Sequence, residues 1–129
     1  MRARAPKAPR VSEKVVQRHI VQALRTVGAT VYVLGTVHAG EPGHMTTRMT
    51  PGIPDLLVMF PVSRTGHPRH QLWIECKAAG GRLSEAQKSF RDYCELAGIP
   101  HLVGGLDVVL SYLQQRGYLT ETAWYRRPA

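Results

Sequence analysis

Hydrophobic residues first recur with helical spacing at Val16, Ile20, Ala23, Leu24 and Val27, with Ser12 placed to cap the run and Gly28 to end it. Glu13 lies on that same stripe, so its carboxylate is expected to face whatever the helix packs on. Thr30 to Thr36 (TVYVLGT) is β-branched and aromatic and predicts a strand. From His38 to Gly52 there is no apolar rhythm, which predicts a long loop; a functional loop and a surface excursion both fit. Ile53 to Phe60 (IPDLLVMF) is the most apolar segment and predicts a buried strand, with Pro54 placing its start near a sheet's edge or end.

Beyond the turn-like stretch Pro61 to Pro68, Gln71 to Lys77 alternates. Leu72, Ile74 and Cys76 share one face, and Trp73, Glu75 and Lys77 share the other. The two strands are expected to pair as a hairpin. Ser84, with Gln87 three residues on, opens a helix whose apolar stripe is Ala86, Phe90, Tyr93, Cys94 and Ala97, and Gly98 stops it. Tyr93 and Trp73 are expected in the core or in the wall of a site. Pro100 to Gly104 predicts a short strand and Asp107 to Arg116 a last amphipathic helix closed by Gly117. The organisation expected is a basic flexible tail over 1–11, one domain over 12–119 and a basic tail over 120–129.

Composition narrows the function classes. The 129 residues suit one domain with a modest core, and no apolar run approaches the roughly 20 residues that span a bilayer. Met1 to Arg10 lacks the apolar stretch of a secretory signal. Lys plus Arg number 17 against 9 Asp plus Glu, a formal charge of +8, which favours a polyanionic partner such as nucleic acid. Cys76 and Cys94 form no CxxC and read as buried thiols, and the six histidines form no HExxH pair, so neither a zinc ribbon nor a histidine-bound zinc is indicated.

The candidate chemistry lies on the two central strands. Asp55 is the one charge in an apolar strand, where an unpaired carboxylate is costly, and Glu75 and Lys77 stand two apart on one strand face. Hard cations such as Mg²⁺ take oxygen ligands, commonly one or two carboxylates plus water and substrate phosphate. A lysine beside them suits phosphodiester hydrolysis, either by orienting or deprotonating water or by offsetting charge on the phosphate; both roles stay open. Arg48, Arg82, Lys88 and Arg91, with Arg64 and Arg69, are candidate phosphate contacts, though each taken separately is more often only a surface charge.

Gly52-Ile53-Pro54-Asp55-Leu56-Leu57-Val58, then Ile74-Glu75-Cys76-Lys77, then Leu83-Ser84-Glu85-Ala86-Gln87 resembles the virus-type replication-repair nuclease (VRR-NUC) domain of the PD-(D/E)xK superfamily, over about Ser12 to Leu119. The resemblance implies an α/β fold with a restriction-endonuclease-like αβββαβ core, a mixed central sheet flanked by helices. It implies Mg²⁺ or Mn²⁺ as cofactor and DNA as substrate. By the same resemblance the catalytic set is Glu13, Asp55, Glu75, Lys77 and Gln87, with metal held by Asp55, Glu75, the Cys76 backbone carbonyl and, through water, Glu13. For Gln87 a capping role and for Glu13 a helix-dipole role stand beside the site role.

Stand-alone domains of this kind, in phages and prophages, imply a cytoplasmic homodimer in a bacterial or phage-infected cell, acting on branched DNA such as four-way junctions. A catalytically inactive basic DNA-binding module and a flap or single-strand nuclease of the same fold are the alternatives.

Overall fold

The computed structural model describes residues 11–35 and 50–120. Both expected tails except Val11 and Thr120, and positions 38–49 of the expected loop, Arg48 among them, lie outside the described residues. The elements run α1 (Glu13–Thr26), β1 (Thr30–Val33), β2 (Leu56–Phe60), β3 (His70–Cys76), α2 (Glu85–Ala97), β4 (His101–Gly104) and α3 (Leu106–Gln115). This is the αβββαβ order, a mixed sheet flanked by helices, with α3 appended.

The sheet order is β1-β2-β3-β4. The first three strands pair antiparallel and β4 pairs parallel to β3, through the crossover that α2 provides. Alternation sets the two faces. Val31, Leu56, Val58, Phe60, Leu72, Ile74 and Cys76 turn to one side and form the core with Ile20, Val21 and Leu24 of α1 and Val109, Tyr112 and Leu113 of α3. Each of these larger side chains contributes on the order of 1.5–3 kcal/mol by leaving water. The opposite face carries Trp73 and Glu75 and meets α2, with the Trp73 and Phe90 rings edge to face at 5.2 Å.

β2 begins at Leu56, two residues after Pro54, and lies inside the sheet. Pro54 has no N–H to give a ladder, so regular pairing starts beyond it. The paired part of β1 stops at Val33, shorter than the patterned run. In α1 the Ser12 hydroxyl accepts from the Val15 N–H. Gly98 closes α2 in the left-handed region at φ 68°, where a side chain is disfavoured.

The helix α2 departs from expectation in its facing. Its inward row is Gln87, Phe90, Arg91 and Cys94, whereas Tyr93 is 66% and Leu96 90% exposed, so Tyr93 belongs neither to the core nor to a site wall. From this inward row Gln87 donates a hydrogen bond to Glu75. Cys76 and Cys94 are both free and buried, as expected.

The closed end of the β2/β3 hairpin is finished by rings. Phe60 and His70 stack at 4.7 Å, His70 Nε2 lies 2.6 Å from the Tyr112 hydroxyl, and the Arg116 guanidinium sits 3.7 Å over the Tyr112 ring. The other end of the sheet is polar.

Candidate active site

The polar end is built where ladder bonding stops. Leu56 pairs with Ile74, which sets Asp55 beside Glu75 just outside the regular register. Asp55 closes the gap with its own groups: Oδ2 accepts from the Cys76 N–H at 2.8 Å, and its carbonyl accepts from the Leu34 N–H at 2.7 Å. The aspartate is thus fixed by two strands at once, and its second carboxylate oxygen has no part in that backbone bond. Lys77 leaves β3 with its N–H donating to the Gly104 carbonyl at 3.0 Å, which anchors its backbone to β4.

Glu75 is only 3% exposed. Its Oε1 accepts from Gln87 Nε2 at 2.8 Å, and Lys77 Nζ lies 3.9 Å from the same oxygen. Burial first, then the charge of Asp55 and a hydrogen bond shared with it, pushes the Glu75 carboxyl up to about 8, against a smaller opposing pull from Lys77. The two acids therefore meet, as a pair that tends to hold a proton between them. Cys76, beneath them on the core side, is pushed up to about 12 by burial first and then by the neighbouring acids, which keeps it a neutral thiol.

Gln87 serves two partners. Its Oε1 accepts from the Ser84 N–H at 2.8 Å while the Ser84 hydroxyl accepts from the Gln87 N–H at 3.2 Å, a complete capping box, and its amide N–H₂ is left to reach Glu75. The capping bonds and the contact with Glu75 are made at the same time. Glu13 reaches the site through Lys77, Oε1 to Nζ 3.3 Å, with its side chain 51% exposed and that of Lys77 12%. The helical stripe placed Glu13 towards the sheet, and a half-exposed carboxylate at the rim is what results.

Sequence reasoning missed Gly81. A Cβ there would stand 3.3 Å from Lys77 Cδ and 3.4 Å from Glu13 Oε1, so the bare backbone makes room for that ion pair. The paired glycines 80 and 81 were the available signal. Gly52 is held more strictly, with φ at 93° and a Cβ position 2.5 Å from the Ala86 carbonyl oxygen, which lets the segment before Asp55 lie against the start of α2.

The expected phosphate contacts divide. Lys88 pairs with Glu85 at 3.2 Å and Arg91 with Asp92 at 3.1 Å, so both are locally neutralised. Arg82 is exposed and has no hydrogen bond or ion pair among the described residues.

Among the described residues no group of three or more His, Cys, Asp or Glu is gathered to hold a metal ion. The donor set for a hard cation is accordingly two carboxylates, Asp55 and Glu75. Two carboxylates meet the minimum that Mg²⁺ uses when water and phosphate complete its shell. Asp55 and Glu75 stand close enough to share a hydrogen bond, and a hard cation would offset the like charge they bring together, so the residues present fit the group.

In comparison with known families, the model of the VRR-NUC domain matches residues 46–104. The matched interval holds β2, β3, α2 and β4 and leaves α1, with Glu13, and α3 outside it, a shorter span than the motif order suggested. No curated protein and no solved structure matches the chain.

Proposed function

We propose, starting from a chain whose residues 46–104 carry a VRR-NUC domain and thereby the mark of a nuclease-type enzyme of the PD-(D/E)xK superfamily, that this protein is a divalent-metal-dependent DNA endonuclease hydrolysing phosphodiester bonds. The observation that carries the reading is the meeting of Asp55, Glu75, Lys77 and Gln87 at one polar end of the sheet, with a buried glutamate bonded to the glutamine. In this reading Asp55, Glu75 and the Cys76 carbonyl hold Mg²⁺ or Mn²⁺, with Glu13 at the rim. When bound, the cation supplies positive charge to the scissile phosphate and lowers the pKa of water.

The protein's own groups divide the remaining work. Gln87 orients the Glu75 carboxylate by donating to Oε1, and Asp55 is oriented by the Cys76 N–H. Lys77, tethered between Glu13 and Glu75, presents its ammonium to the pocket, where it either withdraws a proton from the attacking water or donates to a phosphate oxygen as negative charge grows. Replacing Lys77 by Arg separates the two roles, because a guanidinium keeps the charge and does not act as a base near neutral pH.

Selectivity for branched DNA of the four-way-junction kind and action as a homodimer belong to the same proposal. The dimer is supported by the apolar Tyr93 and Leu96 that α2 leaves in water. Among the described residues no helix is long and apolar enough to cross a membrane, and we place the enzyme in the cytoplasm of a bacterial or phage-infected cell.

The test is incubation of plasmid, four-way junction, flap and single-stranded DNA with Mn²⁺, comparing the unaltered protein with Asp55→Asn and Lys77→Ala. Cutting is expected to fall by roughly 10²-fold or more in each variant, the scale of losing one preorganised charge-stabilising group. Undiminished cutting by both would place the activity elsewhere, and DNA bound but never cut would favour a binding module. A preference for flap or single-stranded DNA would overturn the junction assignment alone.

A further inference from the structure

We infer that the outward face of α1 is a second nucleic-acid contact, a basic row that grips the DNA backbone as it leaves the active site; this rests on the nuclease reading above. Lys14, Arg18 and Arg25 stand at i, i+4 and i+11, which at 3.6 residues per turn puts all three within an arc of about 40° and spaces them over about 16 Å. All three are exposed, and none makes a hydrogen bond or ion pair among the described residues. That sets them apart from Lys88 and Arg91 on α2, which are already matched by Glu85 and Asp92.

The row lines a groove of about 750 Å³ whose other walls include Gln17, Gln22 and Val33, and among the described residues no acidic side chain lines it. Ammonium, guanidinium and amide donors beside a short apolar strip suit a phosphate backbone with its sugars. The groove also has site residues as chain and strand neighbours. Lys14 directly follows Glu13, which pairs with Lys77, and Val33 on the opposite wall pairs with Leu56, next to Asp55. A strand whose scissile phosphate lies at Lys77 therefore continues over α1. This nearness favours DNA over an acidic protein segment, which would have no reason to run towards an acid pair.

The experiment measures DNA binding by the full-length chain in EDTA against salt concentration, for the unaltered protein and for Lys14→Gln/Arg18→Gln/Arg25→Gln. Each lost phosphate contact flattens the slope of log affinity against log salt by about 0.9 on duplex DNA, so the triple variant is expected to lose about 2.7 and each single variant about 0.9. Arg64→Gln/Arg69→Gln, in the connection between β2 and β3 at the far end of the sheet, reports what charge removal alone does and is expected to lose less per residue. Hydrolysis of the small diester bis(p-nitrophenyl) phosphate with Mn²⁺ is expected to be the same in the triple variant as in the unaltered protein.

An unchanged slope in the triple variant, or an equal loss per charge in the far-end control, overturns the inference. So does a change in oligomeric state by light scattering with no change in slope, which would assign the face to a protein partner. Failure of the unaltered protein to cut any diester would instead sink the nuclease reading, while the slopes would still decide whether α1 touches DNA.

Discussion

Gln87 is the residue at which helix formation and site geometry are tied to one side chain, and a short substitution series separates the two. Ser84→Ala removes only the hydroxyl half of the capping box, a loss of about 1 kcal/mol. Gln87→Ala removes the acceptor for the Ser84 N–H and also the donor to Glu75, which is 3% exposed and has little water to replace it. A hydrogen bond to such a carboxyl contributes about 1 to 3 kcal/mol depending on its charge, so the combined loss is roughly 2 to 4 kcal/mol. At about 4 to 8 °C per kcal/mol for a domain near 100 residues, Gln87→Ala is expected to melt roughly 8 to 30 °C lower and Ser84→Ala about 4 to 8 °C lower. Gln87→Glu keeps an acceptor for the box and sets a carboxylate against Glu75. Its deficit is expected to be largest above pH 8, where both carboxyls are ionised, and to shrink as pH falls through 8 and Glu75 takes up a proton. Thermal melts of the four proteins with EDTA decide the matter. If Gln87→Ala melted like Ser84→Ala, or Gln87→Glu like the unaltered protein at pH 8, the bond to Glu75 would carry no weight.

The other expectations follow from the same pocket. Because the Glu75 carboxyl is raised from 4.5 to about 8 in the fold, its contribution to stability is fully present below pH 4.5 and lost as pH rises through 8; the metal-free melting temperature should decline over that window. Saturating Mn²⁺ should lessen the decline, adding about 2.7 kcal/mol at one hundred times its dissociation constant, and a flat profile without metal would remove the acid pair from the argument. Gly52→Ala, at φ 93° and 2.5 Å from the Ala86 carbonyl oxygen, should cost roughly 1 to 3 kcal/mol in backbone strain alone, and an unshifted urea midpoint would contradict the close approach.

How much of this was legible in the residues varies with the range of the interaction. The α2 cap, the β3 alternation and the β2/β3 hairpin are local, and each is written within a few positions. The parallel placement of β4 is not, because a short strand after a helix pairs with whichever edge the crossover reaches. Tyr93 was misplaced because apolar spacing locates a stripe to within tens of degrees, and the row that faces inward carries Gln87, bonded to Glu75. The acids of the site were visible as Asp55 in an apolar run and Glu75 with Lys77 in phase; the attachment of Glu13 to Lys77 depends on where the end of α1 meets the end of β3. The α1 row was hidden because periodicity drew attention to the helix's apolar side.

The ring cluster of Phe60, His70 and Tyr112 has a practical consequence for anyone who disables this protein by mutation. The contacts that fasten the hairpin lie at one pole and the polar groups at the other, so hardly any side chain is asked to do both jobs. Exchanging Lys77 or Glu13 should leave the scaffold standing, and inert but intact versions for trapping a bound substrate are within reach of single substitutions.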